Sequence, residues 1–204
     1  LTFRTRFAHG GPETWSVDPG SSTWFFDKKR AAMGTLADLG VHKTDLIQFL
    51  LDQQVTEVTA ILSTLDKCFS DGSPITVDDN ALCVYKMSGG AVGTMTASWT
   101  HYGPEDNSTE IDGTEGSLRI YADPEHALVL NRKDGTSEFW DGGAIQTNDD
   151  QTNSGIIDLF VECLKDPSKE GIPAASVLPA MRAVFAAMQS SEEGRAIRIK
   201  GTEC

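Results

Sequence analysis

The stretch ALCVYKMSGGAVGTMTASWTH, residues 81–101, decides the fold. Apolar and polar side chains alternate on both sides of Ser88-Gly89-Gly90, and the paired glycines accept the backbone angles that a tight reversal requires. Two strands joined by a turn are expected here, and the pattern continues in both directions. Downstream come STEIDG (108–113), SLRIYA (117–122), HALVLNRK (126–133) and TSEFWD (136–141). The turn signals between them, GTEG, ADPE and KDGT, are of the kind that close antiparallel hairpins. Upstream, residues 54–64 place Val55, Val58 and Ile61 in a β-branched run. Residues 1–9 alternate Thr and Arg with Phe, as a half-buried strand does, before a loop at GGPE (10–13).

Helices interrupt the strands at two places. After residues 24–27, MGTLADLGVHKTDLIQFLLD (33–52) reads as one long helix with Leu36, Leu39, Leu46, Ile47 and Leu50 as its apolar stripe. Residues 153–165 and 175–190 carry apolar side chains at helical spacing, namely Ile156, Leu159, Phe160 and Cys163, then Val177, Leu178, Met181, Val184, Phe185 and Met188. A short strand at 196–200 closes the chain. The fold class expected is α+β: a large, mostly antiparallel open sheet with helices packed on one face. The other face, alternating residues such as Thr94, Thr96 and Trp99, suits either solvent or a second copy of the chain.

The helix at 33–52 also carries the leading chemical candidates. At about 100° per residue, Asp38, His42 and Asp45 fall on one side, beside the apolar stripe. An imidazole next to a carboxylate is a proton-transfer unit, because the acid orients the ring and raises its basicity. The same trio also fits a solvated edge or a capped core group. Carboxylate and imidazole suit zinc or manganese as well, although three inward ligands on one helix would be unusual, and no metal is expected.

Composition limits the alternatives. The chain has 204 residues, 39% of them hydrophobic, enough to bury a substantial core. Thirty acidic against 17 basic residues give a net charge of −13, which repels phosphate backbones and anionic membranes. No nucleic-acid partner and no membrane association are expected. No apolar run of about 18 residues occurs, LTFRTRFAHGG is not a signal peptide, and a cytoplasmic location is the default. Cys68, Cys83, Cys163 and Cys204 share no CxxC spacing and read as ordinary thiols.

Several of these segments, in order, resemble one family. MGTLADLGVHKTD is similar to the GGGxLxDxGxHxxD signature of the Gfo/Idh/MocA oxidoreductases, NAD(P)-dependent sugar and polyol dehydrogenases. RFAHGGPETW with WFFDKKR resembles the strand and loop that precede the signature. ASWTHYGPEDNSTEIDGTEGSLRIY resembles the strand pair ending in a GTxGxL turn, and SVLPAMRAVFAAMQSSEEGRAIRI the closing helix and strand with its SxxxGR element.

The resemblance implies a glyceraldehyde-3-phosphate dehydrogenase-like C-terminal domain over residues 1–204, serving substrate binding and oligomerisation. It implies homodimers or homotetramers through the open sheet face and a sugar, polyol or related hydroxy compound as substrate. Asp38 corresponds to the substrate-orienting aspartate and His42 to the proton-transferring histidine, with Asp45 in a supporting role. His9, Trp24, His101 and Arg6 are the further substrate-binding candidates, because rings and hydrogen-bonding groups suit a polyhydroxylated ligand. NAD or NADP would be bound mainly by an N-terminal Rossmann domain. No GxGxxG turn and no Glu-Lys-Pro triplet occurs in these residues, so the N-terminal domain is expected to be absent and the chain inactive by itself. Met33 and Thr35 depart from the signature and are expected to narrow the pocket mouth. A non-catalytic sugar-binding or oligomerisation module of the same fold is the alternative. His126 reads as surface.

Overall fold

The computed structural model describes residues 1–142, 154–166, 168–169 and 171–200. Among them, nine strands form one mixed sheet: β1 (Thr2–Ala8), β2 (Val55–Ser63), β3 (Asn80–Met87), β4 (Val92–Ser98), β5 (Thr109–Asp112), β6 (Gly116–Ile120), β7 (Leu128–Arg132), β8 (Ser137–Trp140) and β9 (Ile197–Arg198). The helices are α1 (Lys28–Ala31), α2 (Val41–Leu51), α3 (Ile156–Lys165) and α4 (Leu178–Glu193), with a π-helical turn, Leu36–Gly40, leading directly into α2. Cys204 and Asn153, which the sequence reading included, lie outside the described residues.

The strand order is β8-β7-β6-β5-β1-β4-β3-β2-β9. The hairpin at 81–101 forms as its turn chemistry dictates, with Leu82 opposite Thr96 and Val84 opposite Thr94, and with Gly90 at φ 86° in the reversal. The pairings are antiparallel except one: β1 inserts between β4 and β5 and runs parallel to β4, Thr2 opposite Val92 through Ala8 opposite Ser98. A period of two is the same in both pairing directions, so alternation alone could not reveal this insertion.

One face of the sheet is the core. Phe3, Val58, Cys83, Tyr85, Met95 and Trp99 are fully buried there, together with Leu36 and Ile47 from the helical run and Val184 from α4. Trp99 therefore points inward, correcting its expected place beside Thr94 and Thr96. It follows β4 one residue after Ser98, where the alternation puts it with Met95 and Ala97. The alanines of α4, Ala180, Ala183, Ala186 and Ala187, are all buried and let the helix lie close to β2. β9 pairs with β2 only at Glu57 and Val58, so the next edge amides need other acceptors. Ser190 and Ser191 of α4 supply them: their hydroxyls accept from Ala60 N and Leu62 N, each at 2.9 Å.

Two expectations about the helices change. The helical run starts at Leu36, not 33, and its inner side carries polar residues. Lys43, Thr44 and Gln48 are buried beside Ile47, whereas Leu50 is 36% exposed and Phe49 is 80% exposed. Each buried polar group is satisfied: Thr44 Oγ1 reaches the Tyr85 hydroxyl at 2.9 Å and the Gly40 carbonyl at 2.8 Å, and Gln48 Oε1 accepts from Val55 N at 3.0 Å. Burial lowers the Lys43 ammonium to about 8 against the pull of Asp106 and Glu105, and its Nζ donates to Asn107 O at 2.8 Å. α3 forms where expected but does not cover the sheet. Ile156, Ile157, Phe160, Val161 and Leu164 all remain exposed. Amphipathic spacing states that a helix has an apolar side, and not what that side meets.

Candidate active site

The site begins with two adjacent acids ahead of β3, Asp78 and Asp79. The Asp78 carboxylate accepts from Gly34 N (3.0 Å) and Leu36 N (2.8 Å), and its carbonyl accepts from Thr35 N (2.9 Å). These amides belong to the start of the helical run, where orphan donors need acceptors. Gly34 is required by this contact, because a Cβ there would collide with the Asp78 carbonyl oxygen. Thr35 is fully buried, and Met33 lines a separate cleft with Lys28, Leu62, Asp78 and Met188 that includes neither Asp38 nor His42. A buried Thr35 cannot narrow a mouth, which corrects that half of the expectation.

Asp79 holds the opposite wall. Its carboxylate accepts from the backbone amides of Leu65, Asp66 and Lys67, each at 2.9 Å, and from Asn80 Nδ2. Burial pushes this carboxyl up, and the amides, Lys67 and Asp66 foremost, bring it below its ordinary value. The buried Lys67 then reaches the 10–13 loop: Nζ donates to Gly10 O at 2.6 Å, pairs with Glu13, and lies 4.8 Å from the Tyr102 ring centroid. That loop carries His9 and Trp15 on its two flanks. Neither aspartate was singled out from sequence; the visible signal was VDDN at a strand start, two like charges tolerable only where backbone amides receive them.

Asp38 sits in the π-helical turn. Its Oδ2 accepts from the indole Nε1 of Trp99 at 3.0 Å. Burial holds this carboxyl above its ordinary value, opposed by the Trp99 hydrogen bond and by the charge of His42. His42, on the first turn of α2, makes no hydrogen bond among the described residues, and its ring lies 6.5 Å from that of Phe7. The expected acid–imidazole pair is two neighbours that interact through charge, with Trp99 as the hydrogen-bond partner of the acid.

Ring contacts connect these two groups around a circuit. From His42 it passes to Phe7, to His9 (5.8 Å), to Trp15 (6.1 Å), to Phe25 (5.2 Å) and to Trp99 (6.3 Å), which bonds Asp38. His9 is tautomerically fixed, since its Nδ1 accepts from Gly11 N at 3.0 Å and leaves the proton on Nε2. Burial lowers the pKa of His9, with Glu13 raising it and Lys67 lowering it. An acid, two imidazoles and aromatic walls can orient a hydroxylated ligand and move its proton.

Of the residues expected at the site, Asp38, His42 and His9 come together. Trp24 stacks on Phe25, with ring centroids 4.1 Å apart, and stands behind the circuit. Arg6 and His101 belong elsewhere. Arg6 alternates with the inward Phe7 and so lies on the other side of β1, where it pairs with Asp106 at 3.3 Å and with His101 Nδ1 at 3.4 Å. His101 Nε2 is turned to Pro104 O at 3.0 Å. Asp45 is exposed, without a hydrogen bond or ion pair among the described residues. His126 bonds Asp141 at the far end of the sheet. The rings of Phe7, Trp15, Phe25 and Trp99, which connect His42 to Asp38, were not singled out from sequence, since an aromatic on a strand or loop looks the same there whatever it packs against.

Comparisons with known proteins agree with this architecture. The profile of the GFO/IDH/MocA C-terminal domain matches residues 1–119. Levoglucosan dehydrogenase of Pseudarthrobacter phenanthrenivorans is 31% identical over 137 residues, 58% of this chain and 34% of its own length. D-apiose dehydrogenase of Paraburkholderia graminis is 25% identical over 186 residues, 81% of this chain and 45% of its own length. Among solved structures, a levoglucosan dehydrogenase in complex with NADH and levoglucosan superposes with a TM-score of 0.75 at 24% identity, covering 98% of this chain and 59% of that one. An oxidoreductase domain protein from Kribbella flavida gives 0.72 at 24% identity, covering 97% and 59%. The chain thus spans well under two thirds of the length of these relatives.

Proposed function

Because this chain belongs to the GFO/IDH/MocA family, we propose that it supplies the substrate side of a nicotinamide-dependent dehydrogenase acting on a sugar or polyol. The observation that carries the reading is Asp38: a carboxylate kept in an aromatic setting at a cost to its ionisation, beside an imidazole whose nitrogens have no hydrogen-bond partner among the described residues. Buried acids whose environment opposes their charge are a mark of functional sites. The levoglucosan and D-apiose dehydrogenases among the relatives favour a compact carbohydrate as the substrate class.

In this reading a substrate hydroxyl donates to the free oxygen of Asp38 and lies against the His42 ring. His42 takes the hydroxyl proton as the carbinol carbon becomes a carbonyl, and returns it in the reverse direction. A bound nicotinamide supplies the hydride acceptor or donor. Phe7, Trp15 and Phe25 offer apolar surface to the C–H faces of a sugar and exclude water, and His9 presents its Nε2 proton to a second hydroxyl. Asp38 and His42 would serve the reacting end of such a cofactor, and its phosphates would find no GxGxxG motif in these 204 residues. The chain alone is therefore expected to bind NADH weakly and to turn nothing over.

The open sheet face supports self-association. Ile61, Leu82, Val84 and Val92 are exposed on adjacent strands β2, β3 and β4, flanked by the Arg4–Glu110 and Lys86–Glu57 pairs. A symmetric dimer would cover these apolar residues.

The test is nicotinamide-linked turnover of a panel of sugars and polyols by enzyme carrying His42→Ala. A loss of roughly 10²–10⁴-fold in kcat with cofactor affinity retained is expected. Unchanged turnover would remove His42 from the mechanism and return the non-catalytic module as the better account.

A further inference from the structure

Trp99 meets the site through a hydrogen bond to Asp38 and a ring contact with Phe25, and the packing around it is that of a part held in one place. The side chain is fully buried, its ring lies 6.3 Å from Phe25 at 84° and 6.1 Å from Phe26 at 44°, and Phe26 is itself buried against Phe69. Its backbone N–H donates to the Asp79 carbonyl at 2.8 Å, which ties it to the residue organising the opposite wall. An indole so enclosed cannot turn to follow a mobile carboxylate, so the direction of its N–H is set by the fold. Asp38 Oδ2 receives that N–H at 3.0 Å. The other oxygen, Oδ1, has no partner among the described residues, and His42 is the titratable group whose charge acts on the carboxylate.

We propose that Trp99 is a positioning residue: its indole N–H fixes the rotation of the Asp38 carboxylate so that Oδ1 alone faces the ligand hydroxyl. The inference rests on the dehydrogenase reading for the identity of the ligand, but the clamp itself is a property of the chain. A neutral donor suits this task. It stabilises the charged carboxylate without the full counter-charge of an arginine, so the acid keeps the strength to accept a hydroxyl proton in a hydrogen bond.

The first measurement uses the unaltered chain. The Trp99 indole N–H resonance, assigned by elimination from Trp15→Phe, Trp24→Phe and Trp140→Phe, is followed by 1H–15N NMR through the carboxylate titration. A pH-dependent shift that is lost in Asp38→Asn is expected. An indole resonance that ignores pH, or titrates equally in Asp38→Asn, would overturn the clamp, and neither of these outcomes requires the buried tryptophan to be replaced. The second uses the full enzyme with Trp99→Phe and Trp99→His. The phenylalanine variant is expected to lose roughly ten- to a hundredfold in kcat with KM changed by less than about threefold, with the acid limb of its pH profile moved to higher pH. The histidine variant, which keeps a ring N–H, should recover part of kcat. Equal losses in both variants without a moved limb would mean that Trp99 is only packing. Absence of turnover in the unaltered enzyme, with the indole titration intact, would overturn the dehydrogenase reading and leave the clamp standing.

Discussion

The two faces of the sheet carry the same alternation and opposite consequences. On the inner face Phe3, Tyr85, Met95 and Trp99 are at most 1% exposed, and their polar atoms are all engaged: Tyr85 with Thr44, and Trp99 with Asp38. One residue out of step along the same strands, Leu82, Val84 and Val92 are 42–48% exposed among charged pairs. The inner face is thus defined by the helices this chain folds onto it. The outer face is an apolar strip with no covering element among the described residues, and it gains a meaning only from another surface.

The largest expected effect separates the faces directly. Phe3→Ala empties a site beneath β1 and should cost about 3–5 kcal/mol in urea unfolding, whereas Val84→Ala in dilute protein should change stability by no more than about 0.5 kcal/mol. Comparable losses would mean that the outer strip is already buried in the species measured. Next comes Asp79→Ala, expected to cost about 2–3 kcal/mol because three backbone amides and the lead into Lys67 lose a charged acceptor. The folded Asp79 carboxyl lies below its ordinary value, so its contribution is complete above the unfolded pKa and disappears as pH falls through the folded one. Acid unfolding of the alanine variant should accordingly be shallower in pH than that of the parent. A third test addresses the outer strip itself. Val84→Lys should weaken self-association at least tenfold, about 1.4 kcal/mol, in sedimentation equilibrium. An unaltered association constant would move the interface elsewhere.

Sequence displayed one side of this comparison better than the other. Strands and hairpins were legible because alternation and turn residues are local, as in 81–101. The insertion of β1 between β4 and β5 was not, since nothing within residues 1–9 encodes a partner ninety residues away. At the site, the helical run showed Asp38 and His42, but the π-helical turn at Leu36–Gly40 that carries Asp38 leaves no compositional mark. Arg6 and Phe7 are neighbours in the chain that face opposite sides of β1. A candidate list drawn from residue type alone kept the arginine and overlooked the ring against His42. The walls built by Asp78 and Asp79 depend on loops returning from about 40 and 13 residues away, contacts that only the folded chain assembles.

The smallest predicted effect bears most closely on the inner face. There Asp38 behaves oppositely to Asp79, since its folded carboxyl is held above the ordinary value chiefly by burial. The folded chain therefore binds that proton more tightly than the unfolded chain does. As pH rises through the carboxylate range the unfolded state ionises first, and the folded state loses relative stability until its own, higher pKa is passed. At neutral pH the penalty is complete. Asp38→Asn keeps an oxygen for the Trp99 N–H and carries no charge, so its Tm should exceed that of the parent at pH 7, by the equivalent of no more than about 1 kcal/mol, and the two should converge near about pH 3. Turnover should be lost in the same variant. A residue whose replacement stabilises the protein and silences it is retained for chemistry; a lower Tm at pH 7 would instead assign Asp38 to the architecture, alongside Asp79.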